Sequence, residues 1–131
     1  MELRSVETEL RDAVFSYIES LGILPIYYPN ISQFANPSVS HLRINIMPIM
    51  PIKIGLCGNG AWHEWIVQLS IYASGGAGEL VATRHADSIR DAFIFGSMIG
   101  RFKLISIAAV LPPLTSDGWY VLPVQIKLSN L

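Results

Sequence analysis

The sequence predicts an α+β fold: a largely antiparallel sheet of four to five strands packed with two amphipathic helices. Three observations carry this. Two segments repeat apolar residues at helical spacing, several others alternate apolar and polar residues at a period of two, and glycine or proline punctuation separates them. The chain has 131 residues, the length of one ordinary domain, and 1–131 reads as a single unit with no internal repeat or charge run.

Leu3, Val6, Leu10, Ala13, Val14, Tyr17, Ile18 and Leu21 form an apolar stripe, with Glu2, Arg4, Glu7, Glu9, Arg11, Asp12 and Glu19 opposite. That spacing predicts a first helix, stopped by Gly22 and kept from continuing by Pro25. "ILPIYYPN" follows as a short extended segment ending in a turn, and "ISQFANPSVS" reads as loop. In "SHLRINIMPIM", His41, Arg43 and Asn45 alternate with Leu42, Ile44 and Ile46, as in a half-buried strand. Pro48 and Pro51 remove two backbone donors, so a strand running through them must lie at a sheet edge or a bulge. After the turn signal Gly58-Asn59-Gly60, Trp65, Val67, Leu69 and Ile71 alternate with Glu64, Gln68 and Ser70. These two strands should pair antiparallel, with a long tip over 47–60.

From Glu79 to about Phe95, Ala82, Ala86, Ile89 and Phe93 make the second helical stripe, ending near Gly96. "RFKLISIAAVL" and "GWYVLPVQIKL" read as two more strands joined by "PPLTSDG".

Composition narrows the function classes. Hydrophobic residues make up 51% of the chain and charged residues 15%, against about 25% charged in an average domain. With a formal net charge of -1, such a surface predicts cover by other copies of the chain, a homo-oligomer. Nine scattered basic residues do not make the clustered footprint of a nucleic-acid reader. One cysteine, Cys57, forms no internal disulfide and fits a reducing compartment. No apolar leader opens the chain, and the longest charge-free run contains prolines, so a soluble protein with no membrane span is expected.

The chemical motifs fall short one by one. "SGGAGEL" resembles a phosphate loop at a strand-to-helix turn, but the third glycine of the dinucleotide pattern and the lysine of the P-loop are missing. Glu79 at the helix start would repel a phosphate. The glycines therefore read as conformational. "HEWIV" lacks the second histidine of a zincin helix and lies on a strand. His41, His63 and His85 come from two strands and a helix, so partly exposed or interface positions are expected for them rather than metal ligation. His85 and Asp87 do not share a helix face. Trp62, Trp65 and Trp119 read as core or interface residues. No base, nucleophile and oxyanion donor assemble, so the chain reads as a non-enzyme with no cofactor and no metal.

Taken in order, "IYYPN" with Phe34 and Pro37, "HLRINIMP", "WIVQLSIYASGGAGE" running into "ADSIRDAF", and "SDGWYVLPVQIKL" resemble the tail terminator proteins of siphophage and prophage tails. The resemblance spans nearly the whole chain. It implies a ring, six copies closing on the end of the tail tube, that stops tube polymerisation and offers the head-joining surface. The implied partners are other copies of the chain, the tail tube protein and a neck or head-completion protein, with DNA passing through the lumen unread. The implied place is the tail-neck junction of the virion, after assembly in the host bacterial cytoplasm. A neck or head-completion role and a small-molecule-binding α+β domain are the alternatives. Expected contact residues are Arg43, Pro48, Pro51, Lys53, Asn59, Trp62, Gly76, Arg84, Arg101 and Lys103, drawn from the 47–60 tip, the 74–78 loop and the scattered cations.

Overall fold

The computed structural model describes residues 6–27, 40–54, 60–74, 78–116 and 118–130, with side chains at 50–54, 60–62 and 116 outside that description. The expectations that rest on Leu3, on 28–39, on Cys57 and Asn59 in the hairpin tip, and on Gly76 lie outside the described residues. The described chain runs α1 (Val6–Leu21), β1 (Ile26–Tyr27), β2 (His41–Ile54), β3 (Gly60–Ser74), α2 (Gly78–Ala92), β4 (Met98–Ile99), β5 (Phe102–Leu104), β6 (Ala109–Val110), β7 (Leu114–Ser116) and β8 (Trp119–Ser129). The α+β class stands, but the sheet has eight strands rather than four to five. Its order is β1-β2-β3-β8-β5-β4, with β6 and β7 also on β8. Among the described residues only β1–β2 is parallel, and the other pairings are antiparallel.

β3 is paired along both sides, and its alternation organises the core. Trp65, Val67, Leu69, Ile71 and Ala73 are all buried, while Ile66, Gln68, Ser70 and Tyr72 between them are half-buried. Register carries the buried row sideways: Val67 lies opposite Ile46 on β2 and Ile126 on β8, and Leu69 opposite Ile44 and Val124. Leu10, Val14 and Ile18 of α1 and Ala82, Ala86 and Ile89 of α2 join this row in one cluster, as the two stripes predict. Both helices therefore cover the same face. Tyr17 locks them together, meeting Phe93 edge-on at 5.3 Å between centroids and donating its hydroxyl to the Ala92 carbonyl at 2.7 Å.

The prolines sit where their missing donors do little harm. Leu42 N–H donates outward to the Pro25 carbonyl, so even-numbered N–H groups of this part of β2 point away from β3. Pro48 thus faces the outer edge, and Pro51 falls where the β2–β3 register shifts between Ile49 and Ile52. β2 and β3 then stay paired to Ile54↔Gly60, past the end of β8, so the tip expected over 47–60 is a paired ribbon in its described part.

The segment "RFKLISIAAVL" is not one strand. It breaks into β5 and β6, and β7 follows the Pro112-Pro113 pair, all on the same edge of β8. The registers differ by two residues between β5 and β6 and by one between β6 and β7, the mark of bulges. Ser106 repairs part of the gap, its hydroxyl accepting from the Lys127 N–H at 2.9 Å. Pro123 of β8 belongs to the same accommodation. Its carbonyl accepts from the Leu111 N–H at 2.9 Å, so its missing donor points to the broken strand and costs β3 nothing.

Gly78 gives the glycine segment a packing reason. It starts α2, and a Cβ there would lie 3.0 Å from the Tyr120 Cβ and 3.5 Å from the Ala73 carbonyl oxygen. Both neighbours belong to long strands and cannot move aside. Gly78→Val is expected to lower stability by about 1–3 kcal/mol in denaturant titration, through this overlap. An unchanged midpoint would show that the helix start can shift. His85 on α2 supplies a second test, because burial lowers its pKa from 6.5. The unfolded chain then binds a proton that the folded chain resists, so stability falls as pH drops below 6.5. His85→Gln should flatten the fall in melting temperature across that range relative to the parent protein.

Candidate interaction site

The sheet face turned away from the helices carries a designed-looking polar and aromatic row. His41, Tyr72 and Val121 are register partners across three strands, with Trp119 close by on β8. His41 is fully buried; it stacks on Tyr72 at 5.0 Å and 12° and meets the edge of Trp119 at 5.0 Å. This corrects the expectation of a partly exposed or interface histidine. A strand position two residues from Arg43 put it on the same face, and rings from β3 and β8 close over it.

Arg43 completes the cluster. Its guanidinium lies 4.4 Å from the Tyr27 ring centroid and 4.2 Å from that of Tyr72, and its Nε donates to His41 Nε2 at 3.1 Å. The imidazole nitrogen that accepts carries no proton in this arrangement, so the ring proton is on Nδ1. Two aromatic faces and a hydrogen bond hold one positive charge in place at the β1–β2 margin. Beside it, a neutral ladder crosses the sheet. Asn45, Gln68 and Gln125 are register partners, Gln125 Nε2 donates to Gln68 Oε1 at 2.9 Å, and Gln68 Nε2 donates to Ser70 Oγ at 3.2 Å.

The other expected contact residues separate. Pro48 is exposed on the outer edge of β2. Pro51 and Lys53 lie on the far part of β2 and Trp62 on the near part of β3, beyond Glu64↔Ser129, where β8 ends. There β2 and β3 continue as a two-stranded ribbon. Arg84 is exposed on α2, and Lys103 is exposed on β5. Arg101 is tied down, its Nε meeting Glu9 of α1 at 2.5 Å and its guanidinium lying 4.9 Å from the Phe102 ring centroid. Among the described residues of this set, Arg43 stands in the ring cluster, Pro48 on the outer edge of β2, Pro51, Lys53 and Trp62 along the ribbon, and Arg84, Arg101 and Lys103 on separate elements.

Sequence reasoning passed over the exposed apolar surface at the other side of the sheet. Ile94, Phe95 and Met98 are 64%, 63% and 56% exposed within five positions, and Ile107 is 75% exposed. Asp87, Arg90, Asp91, Ile107 and Ala108 line a cleft of about 420 Å³ between α2 and the break after β5. Arg90 pairs with Asp87 at 3.8 Å. Phe95 lies past the helix end at Ala92 and Ile107 in the break between β5 and β6, and both are exposed there. Among the described residues no three His, Cys, Asp or Glu side chains group to hold a metal ion, and no helix is long and apolar enough to cross a membrane.

A two-helix sheet whose surface offers stacked rings, amide ladders and exposed aliphatic residues has the chemistry of protein contact, as in a structural component of an assembly. The family model for phage tail terminator proteins matches residues 9–128, and the chain belongs to that family. The family is structural rather than enzymatic, which makes this a virion-associated structural protein. Among solved structures, one chain with 18% identity matches at a TM-score of 0.68, covering 91% of this chain and 94% of its own length, and so shares the fold. No curated protein matches the sequence.

The Arg43 cluster carries its own test. Arg43→Ala removes two stacked faces and the donor to a buried nitrogen, and should cost about 2–3 kcal/mol in thermal or chemical unfolding. Arg43→Lys should recover only a minor part, since an ammonium lacks the planar surface that lies between the rings. Equal stability of the lysine variant and the parent would remove stacking as the cause.

Proposed function

We propose that this tail terminator acts as a closed homo-oligomeric ring, six copies being the expected number, on the end of the tail tube. One face of the ring complements the last ring of tube subunits. Closure leaves no equivalent face for another tube subunit, so polymerisation stops, and the opposite face receives a neck or head-completion protein. DNA passes through the lumen, where backbone-directed cations need read no base. The observation that carries this reading is the family match over residues 9–128. Supporting it, the chain has few charges for its size and exposes Ile94, Phe95, Met98 and Ile107, a surface that calls for cover by protein. The contact residues proposed are Arg43, Pro48, Pro51, Lys53, Asn59, Trp62, Gly76, Arg84, Arg101 and Lys103.

Deleting the gene from its phage or prophage tests the role by electron microscopy of the particles. Tails of abnormal length without heads are expected, together with filled heads that carry no tail. Tails of normal length joined to heads would overturn the proposal. Filled heads that fail to mature beside normal tails would support the neck role instead.

A further inference from the structure

Arg43 is a cation whose hydrogen-bonding edge is unused. β1 sets Tyr27 on one side of its guanidinium and β3 sets Tyr72 on the other, with ring centroids 4.4 and 4.2 Å away. Its Nε is engaged by His41 Nε2 at 3.1 Å. What remains is the edge formed by the two Nη nitrogens, and among the described residues neither meets an acceptor or a carboxylate. A guanidinium held in this way has already lost its rotamer freedom, so a carboxylate reaching that edge gains two parallel hydrogen bonds at little further entropic cost. The same copy has no acid to place there. Glu64, the one described acid on this sheet face, lies eight residues along β3 from Tyr72, roughly 26 Å at 3.3 Å per residue.

A carboxylate with the complementary need stands on the other layer of the molecule. Asp91 is exposed on α2; Arg90 pairs with Asp87, and among the described residues no cation pairs with Asp91. It lines the cleft with Ile107 and Ala108, three residues before the exposed Ile94. The two places match in chemistry: a positive edge flanked by tyrosine rings, and a carboxylate flanked by aliphatic side chains. The fold keeps them apart within one copy. Arg43 stands on the helix-free face at the β1–β2 margin, whereas α2 packs on the other face against β3 and β8, with its cleft at the break after β5. Surfaces on opposite faces and opposite margins join only between copies, and head to tail rather than across a two-fold axis.

We infer that the Arg43 guanidinium of one copy receives the Asp91 carboxylate of the next, with the tyrosine rings beside Arg43 against the aliphatic wall at Ile107. This inference rests on the ring proposed above and names one contact of its interface. The pairing matches two charges that the single copy leaves unmatched, and it covers exposed aliphatic surface in the same contact.

A double-mutant cycle tests the pairing. Sedimentation velocity on the purified full-length protein, and the amount of it on tails isolated from producing cells, would be compared for the parent, Asp91→Ala, Arg43→Lys and the double variant. Glu79→Gln, at another exposed carboxylate of α2, serves as the control for net charge. Asp91→Ala should weaken assembly by about tenfold or more, and so should Arg43→Lys, which keeps the charge but lacks the fork. The double variant should assemble no worse than the weaker single variant, and Glu79→Gln should match the parent. Circular dichroism melts check that all of them fold, and Asp91→Ala, at an exposed position, decides the matter if Arg43→Lys loosens the ring cluster. If the parent forms a closed oligomer and Asp91→Ala assembles equally well, if the two losses multiply, or if Glu79→Gln weakens assembly as much, the contact is wrong while the ring stands. If the parent is monomeric both in solution and on isolated tails, the ring and this contact fall together.

Discussion

Everything in this molecule depends on β3 being paired along both edges while only one of its faces is dry. Burying Trp65, Val67, Leu69, Ile71 and Ala73 in one unbroken row removes five side chains from water, worth on the order of 1.5–3 kcal/mol for each large one. A slip of one residue would turn that row outward, so the same burial fixes the register of β2 and β8. Once β2 is in register, His41 and Arg43 can point only to the face opposite the helices. Once β8 is in register, Trp119 arrives beside Tyr72. The surface cluster is thus a consequence of the core.

Backbone donors impose the second constraint. A sheet tolerates proline only where the missing N–H has no waiting carbonyl, and this chain has prolines in both of its long outer segments and in β8 itself. Pro48 points off the open edge of β2, Pro51 sits in a bulge, and Pro123 points into the broken side where β6 and β7 succeed each other. The same interruptions that make the fold possible leave the sheet margins irregular. Irregular margins do not readily recruit a passing strand.

Much of this was legible in sequence order. Leu10, Val14 and Ile18, then Ala82, Ala86 and Ile89, announced two helical faces, and both are buried. Alternation from Trp65 to Ile71 announced the central strand. Pro48 and Pro51 announced an edge and a bulge. Less legible was the stretch from Arg101 to Ser116, where apolar residues suggested one strand. Its fate is set by which β8 donors and acceptors it can reach, and Ser106, Pro112 and Pro113 interrupt that match at three points. The expected contact residues were chosen by residue type, which says little about what will face a side chain at a sheet margin or on an exposed helix face.

The sequence by itself determined the α+β class, the buried faces of both helices and the central strand, because period and punctuation are local properties of a chain. Tertiary structure decided the rest. Tyr27, Arg43 and Tyr72 stack although they lie on three strands, His41 becomes buried only because rings from β3 and β8 meet over it, and Phe95 and Ile107 become exposed only because their elements end early. Such outcomes depend on neighbours tens of residues away, and on free energy gained only when the whole sheet has closed around β3.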